Sequence, residues 1–112
     1  MYRDYRHFLA DMAESSAAVV EFVTGLTFEQ FAADKKTVSA VIRQLEILGE
    51  AAKNIPADFK NQHPEIDWKR IAGLRDVLIH GYFGVDLEII WDIIQDKLPT
   101  LQAQLAGISE TK

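Results

Sequence analysis

The sequence contains no cysteine, which excludes disulfide bridges, a thiolate nucleophile and a zinc site built on cysteine. It also lacks any run of about 18 apolar residues, the length that a membrane-spanning helix requires. The first fourteen residues carry charges throughout and do not have the pattern of a signal peptide. These absences predict a cytoplasmic protein.

Positive charge is in short supply: 12 Lys and Arg stand against 17 Asp and Glu, for a net charge of −5. General nucleic-acid binders neutralise several phosphates with clustered Lys and Arg, and this composition does not favour that class. We therefore expect any RNA contact to be local, and we expect no binding to DNA. The acidic balance fits simple solubility or, less well, a basic partner.

Familiar chemical motifs are also missing. The sequence has no zinc-protease motif, no P-loop, no dinucleotide-binding glycine pattern and no nucleophile elbow. Asp4, His7, Asp11 and Glu14 would line one helix face, but a solvated face has the same composition, so we expect no metal site there. His63 precedes a proline in a turn and is expected to be ordinary surface. No cofactor is indicated.

The sequence does have helical periodicity along nearly its whole length. Apolar residues recur at steps of three and four, which predicts long helices over residues 2–24, 34–54, 68–80 and 87–106. Thr27 and Gln30 form a capping box and Pro56 suits a first turn, which predicts a short helix at each of these two places. Gly49 lies inside the second long helix, where a glycine usually permits close approach of another helix.

This pattern predicts an all-α protein, an up-and-down bundle of four to five helices with short connections. At 112 residues the chain suits one domain, which we place at residues 1–106, with a frayed tail at 107–112. Asp34, Asp67 and Asp86 are the predicted N-caps. Ile89 and Ile93 make the last helix apolar on most sides, which indicates either a deep core position or a subunit interface.

Residues 73–84 hold the strongest candidate for chemistry. Arg75 and His80 flank an apolar triplet in a helix that we expect to be mostly buried, where a charge needs a partner or a function. His80 lies at the helix end, which favours its protonated form, while a nearby arginine opposes it. We therefore expect His80 to titrate near neutral pH, as acid–base catalysis requires.

This pair suits RNA cleavage. His80 could take the 2′-OH proton or protonate the leaving 5′-oxygen, and Arg75 could hold the phosphate, with no metal because RNA supplies its own nucleophile. Positions 75 and 80 lie about 140° apart around a straight helix. Either the helix unwinds before Gly81, or the site is built across a two-fold axis. From spacing alone a structural role is also open, with His80 as a helix-end cap and Arg75 paired with Asp76 or another helix.

The stretch Arg75-Asp76-x-x-x-His80-x-Tyr82 resembles the RX4HXY signature of HepT-type proteins in the HEPN superfamily. Residues 25–34, 37–53 and 63–102 also resemble segments of that family, so the similarity covers most of the chain. The resemblance implies a HEPN bundle that forms homodimers around the motif helix. It also implies a metal-independent endoribonuclease toxin with Arg75 and His80 at the dimer cleft.

The same resemblance implies a partner, an MntA-like minimal nucleotidyltransferase that serves as the antitoxin. In that group the antitoxin uses ATP to transfer AMP to the motif tyrosine, here Tyr82. A bulky anionic adduct two residues from His80 would block the cleft and repel RNA phosphate.

One position departs from the commonest family pattern, because Asp76 stands where asparagine is frequent. A carboxylate there could neutralise Arg75 or could orient His80. A second function stays open, a non-catalytic HEPN module that docks and regulates a nucleotidyltransferase, as does a third, a plain structural dimer. The acidic charge favours docking, whereas the presence of Arg75, His80 and Tyr82 together favours the ribonuclease.

Overall fold

The computed structural model describes residues 4–80 and 86–110. Over these residues the chain is helical, with no strand, and the predicted all-α class is confirmed. The helices are α1 (Tyr5–Val23), α2 (Phe28–Ala33), α3 (Lys35–Lys53), α4 (Ala57–Gln62), α5 (Trp68–Ala72), α6 (Leu74–His80), α7 (Leu87–Asp92) and α8 (Leu98–Glu110). A turn of π-helix, Ile93–Lys97, joins α7 to α8.

The helices begin where their N-caps predict. Asp34, Asp67 and Asp86 each accept a hydrogen bond from a backbone N–H two or three residues further on. At the start of α2 the capping box is complete, since Gln30 N–H donates to Thr27 Oγ1 at 3.1 Å and Thr27 N–H donates to Gln30 Oε1 at 2.9 Å. Side-chain oxygens thus satisfy backbone donors that have no partner inside the helix.

Helix α3 lies at the centre of the bundle and contacts α1, α2, α5 and α6, while α8 packs against α1. Helices α5 and α6 can be counted as one interrupted helix, and so can α7 and α8. Together with α1 and α3 they form a four-helix bundle. The short helices α2 and α4 lie in the connections on either side of α3. The core between these helices is apolar and includes Met12, Val19, Leu45, Leu48, Ile94 and Leu101.

The last helix differs from its prediction in the middle. At the π-turn Leu98 N–H donates to the carbonyl of Ile93, five residues earlier. Pro99 follows directly, and a proline ring crowds the carbonyl four residues before it in a regular α-helix. The wider turn relieves that crowding, which apolar periodicity alone does not reveal.

The end of the chain also differs from its prediction. Helix α8 continues to Glu110, whereas the sequence predicted that the last helix ends at residue 106. The physical reason is Ile108, which is buried and extends the apolar stripe of Leu101 and Leu105 by one more turn. None of the helices in the described part of the chain has the length and apolar character needed to cross a bilayer.

Candidate functional site

The motif helix is shorter and more exposed than its sequence suggests. The predicted helix over 68–80 is interrupted at Gly73, and α6 begins at Leu74. Leu74 and Leu78, one turn apart, are buried in the core, whereas Arg75, Asp76 and Val77 are exposed to solvent. The expectation of a mostly buried helix is therefore wrong, because over residues 74–78 α6 buries only the face that carries Leu74 and Leu78.

Arg75 is held by a carboxylate from the neighbouring helix. Its Nη1 donates to Glu50 Oε1 of α3 at 3.2 Å, and both side chains are 52% exposed. The sequence offered two partners for Arg75, Asp76 or a residue of another helix. The structure shows the second, since the ion pair is with Glu50 of α3. A guanidinium has five N–H donors, so this contact leaves others for an anionic ligand.

Gly49, the residue before Glu50, explains why α3 comes so close to the motif helix. A Cβ at this buried position would lie 3.2 Å from the carbonyl oxygen of Ile71 and 3.5 Å from the backbone nitrogen of Arg75. The prediction that Gly49 permits a close helix approach is confirmed. The approach places the next residue, Glu50, beside the first turn of α6.

A second contact restrains the Glu50 carboxylate. Asn54, one turn further along α3, donates from Nδ2 to Glu50 Oε2 at 3.4 Å and to the Glu50 backbone carbonyl at 2.9 Å. Each oxygen of the carboxylate thus has its own donor. Sequence analysis does not single out Glu50, and its position after the close-approach glycine is the signal that could have found it.

Helix α6 carries the motif from Arg75 to His80. Helix α6 stays helical to His80, its last residue, so the helix does not unwind before that point. Positions 76 and 80 therefore lie one turn apart on the same helix face. The side chain of His80 and the whole of Tyr82 lie outside the described residues.

A wide groove opens between α5–α6 and α7–α8, with a volume of about 840 Å³. Its walls are largely apolar, and charged residues of α5 and the π-turn also line it. Val77 of α6 and Ile89 of α7 line it and are 49% and 48% exposed. The sequence left two environments open for the last helix, the deep core or a subunit interface. Ile90 and Ile94 lie in the core, whereas Ile89 faces the groove.

The weaker candidates of the sequence have local roles. Asp4 accepts from the backbone N–H of Arg6 at 2.9 Å, capping α1, and pairs with the Arg6 guanidinium at 2.6 Å, which lowers its pKa to about 2. His63 Nδ1 lies 3.3 Å from Glu65 Oε2 in the turn before α5, and its ring packs on Phe59. Among the residues whose positions are given, no three His, Asp or Glu side chains are grouped so as to hold a metal ion.

Comparison with known proteins identifies the family of the chain. Residues 12–108 match the family described as Ribonuclease HepT-like, a span that includes the whole motif. The chain belongs to the HepT-like ribonuclease family, which identifies it as a ribonuclease by class. No solved structure gives a significant match to the chain.

Similar proteins occur in archaea and bacteria. A candidate RNase of Methanocaldococcus jannaschii is 52% identical over 97 residues, which cover 87% of this chain and 80% of the relative. A probable ribonuclease HepT of Thermococcus cleftensis is 49% identical over 104 residues, covering 93% of this chain and 94% of the relative. A candidate RNase of Caldanaerobacter subterraneus is 43% identical over 103 residues, 92% of each chain.

Proposed function

We propose that this chain is the toxin of a toxin–antitoxin pair and a metal-independent endoribonuclease that uses Arg75 and His80. The observation that carries the proposal is an exposed, restrained Arg75 at the start of α6, in a chain that belongs to a ribonuclease family. The substrate is RNA. The ribonuclease domain comprises residues 1–106 together with the continuation of α8.

The reaction needs one proton removed and one supplied. The 2′-oxygen attacks the adjacent phosphorus while a histidine takes its proton, and the bond from phosphorus to the 5′-oxygen breaks. A second acid protonates that 5′-oxygen, leaving a 2′,3′-cyclic phosphate and a 5′-hydroxyl. Arg75 donates to the phosphate oxygens, where negative charge develops in the transition state.

We infer that the working enzyme is a homodimer. Helix α6 is helical through His80, and positions 75 and 80 then lie about 140° apart around its axis. Within one copy they do not share a face, whereas a two-fold axis would bring Arg75 of one copy near His80 of the other. The exposed Val77 and Ile89 line one groove and supply apolar surface that a second copy could cover.

Asp76 and Tyr82 act on this centre in different ways. Asp76 lies one turn before His80 on α6, a spacing at which a carboxylate can orient an imidazole. Tyr82 is the proposed target of an MntA-like nucleotidyltransferase antitoxin. Its phenol oxygen would form a bond to the α-phosphate of ATP with release of pyrophosphate, and the added AMP would repel RNA.

The test is RNA cleavage by purified protein with EDTA present, comparing the unchanged chain with His80→Ala. The intact mass is measured first, so that AMP on Tyr82 is known before activity is judged. We expect cleavage with 2′,3′-cyclic phosphate ends, and a loss of at least about 10²-fold in His80→Ala.

Other outcomes would change the assignment. Cleavage that EDTA abolishes would refute metal independence. If the unmodified, folded dimer cuts none of a broad set of RNAs, the docking-module function replaces the ribonuclease, and Arg75 and His80 are structural.

A further inference from the structure

We propose that Glu50 is a positioning residue for Arg75, and that the ribonuclease depends on it although it does not touch the RNA. This inference rests on the proposed function, because it assigns Arg75 to the scissile phosphate. It begins from the contact of Arg75 Nη1 with Glu50 Oε1 at 3.2 Å, the tertiary contact that fixes an otherwise exposed arginine.

The geometry suits positioning. Arginine has a long side chain whose rotamer freedom is costly to restrict. Glu50 restrains one end of the guanidinium, and Asn54 restrains Glu50 through its other carboxylate oxygen at 3.4 Å. Among the described residues Glu50 contacts Arg75 through Nη1, so the Nε and Nη2 donors suit bidentate contact with a phosphate.

The energetics separate positioning from folding. Both members of the pair are 52% exposed, and ion pairs so exposed add little to stability. Removing Glu50 should therefore leave the fold intact. In contrast, misplacing a catalytic group by about 1 Å can lower a rate by about 10²-fold.

The charge of Glu50 gives the inference a distinctive signature. A carboxylate beside the phosphate site repels RNA, so its removal should leave KM unchanged or lower it. If Glu50 positions Arg75, the same removal lowers kcat. A residue with a merely structural role would not move these two constants in this way.

The experiment measures kcat and KM on one RNA substrate for the unchanged chain, Glu50→Ala, Glu50→Gln, Arg75→Ala and the double variant of Glu50→Ala with Arg75→Ala. The matched control is Glu46→Ala, which removes the same charge one turn earlier on α3, where Glu46 pairs with Arg43 at 3.6 Å. We expect Glu50→Ala to lose about 10- to 100-fold in kcat without a rise in KM. Glu50→Gln keeps an oxygen acceptor and should retain more activity, and Glu46→Ala should behave as the unchanged chain.

The double variant decides whether Glu50 acts through Arg75. If it does, Glu50→Ala causes no further loss once Arg75 is alanine. An unchanged kcat in Glu50→Ala, or an equal loss with and without Arg75, would overturn the inference while leaving the ribonuclease itself intact.

A readout independent of activity covers the case in which no RNA is cut. Nitrogen-15 relaxation of the Arg75 side chain should show greater mobility in Glu50→Ala than in Glu46→Ala. Inactivity of the unchanged chain would refute the proposed function. Equal Arg75 mobility in the two variants would refute positioning by Glu50.

Discussion

The two sides of α3 differ in how completely a single chain covers them. Towards α1, α3 belongs to a continuous apolar core in which Val41, Leu45 and Ala52 are fully buried. Towards α6, the contact is narrower, and beyond it lies the open groove with Val77 and Ile89 half exposed on its walls. We call these the core side and the groove side. The described part of one chain completes the first and leaves the second uncovered.

The comparison separates stability from function. On the core side, burial of large side chains supplies the free energy that holds the fold. On the groove side, Val77 and Ile89 are exposed on the groove walls, and elsewhere on the surface of α6 Arg75 pairs with Glu50. Uncovered apolar surface is typical of a site that another molecule completes.

Changing Val77 to Asp should have the largest effect, because it puts a charge into the surface that we propose is buried between two copies. We expect the dimer to dissociate and RNA cleavage to fall by about 10²-fold or more, since His80 would lose the Arg75 of the other copy. Sedimentation equilibrium and the cleavage assay measure the two effects.

The matched control is Phe22→Asp. Phe22 is 38% exposed on α1 and does not line the groove. It should leave both the dimer and the activity unchanged. If Val77→Asp stays dimeric and active, the groove side is not the dimer interface, and the contrast between the two sides loses its functional meaning.

Changing Gly49 to Ala should have an intermediate effect, because this residue joins the two sides. Its new Cβ would lie 3.2 Å from the backbone carbonyl of Ile71, so α3 and α5 must move apart slightly. We expect a loss of about 1–3 kcal/mol in the free energy of unfolding, as for overpacking. We also expect kcat to fall as Glu50 moves away from Arg75.

Gly107→Ala is the control for this change. Gly107 lies in α8, and a Cβ added there would have no other heavy atom within 4 Å. Alanine at this open position should raise the free energy of unfolding by about 0.5–1 kcal/mol. Urea denaturation compares the two variants. A stabilised Gly49→Ala would show that the contact with α5–α6 is not close enough to matter.

The sequence predicted the core side better than the groove side, for a physical reason. Helix class, the caps at Asp34, Asp67 and Asp86, and the role of Gly49 follow from local chemistry and periodicity, and the structure confirms them. The π-turn before Pro99 also has a local cause, but the spacing of apolar residues does not predict it.

The exposure of α6 could not be predicted in the same way. Apolar residues at 77 and 78 look equally suited to a core, and only the tertiary position of the helix decides that Leu78 is buried and Val77 is not. The same holds for Glu50, since 25 residues separate it from Arg75 in the chain. The functional residues named from the motif, His80 and Tyr82 above all, remain predictions.

The smallest expected effect concerns Asp4, whose ion pair with Arg6 is local, in contrast with the tertiary pair of Glu50 and Arg75. The Arg6 guanidinium lowers the pKa of Asp4 from 3.8 to about 2. Because the pKa of Asp4 is lower in the folded state, the charged carboxylate stabilises the fold at pH values above its ordinary pKa. This stabilisation is lost as the pH falls from about 4 towards 2. Asp4→Asn keeps a capping oxygen but removes the charge, so it should be slightly less stable than the unchanged chain at pH 7 and should approach it in stability at and below pH 2. Thermal unfolding across this range measures the difference, which should shrink at high salt because the pair is exposed.

Arg6→Gln should give the same pH dependence, and RNA cleavage should be unaffected in both variants. A loss of cleavage in Asp4→Asn would mean that the first turn of α1 contributes to the site, and the division into a core side and a groove side would then fail.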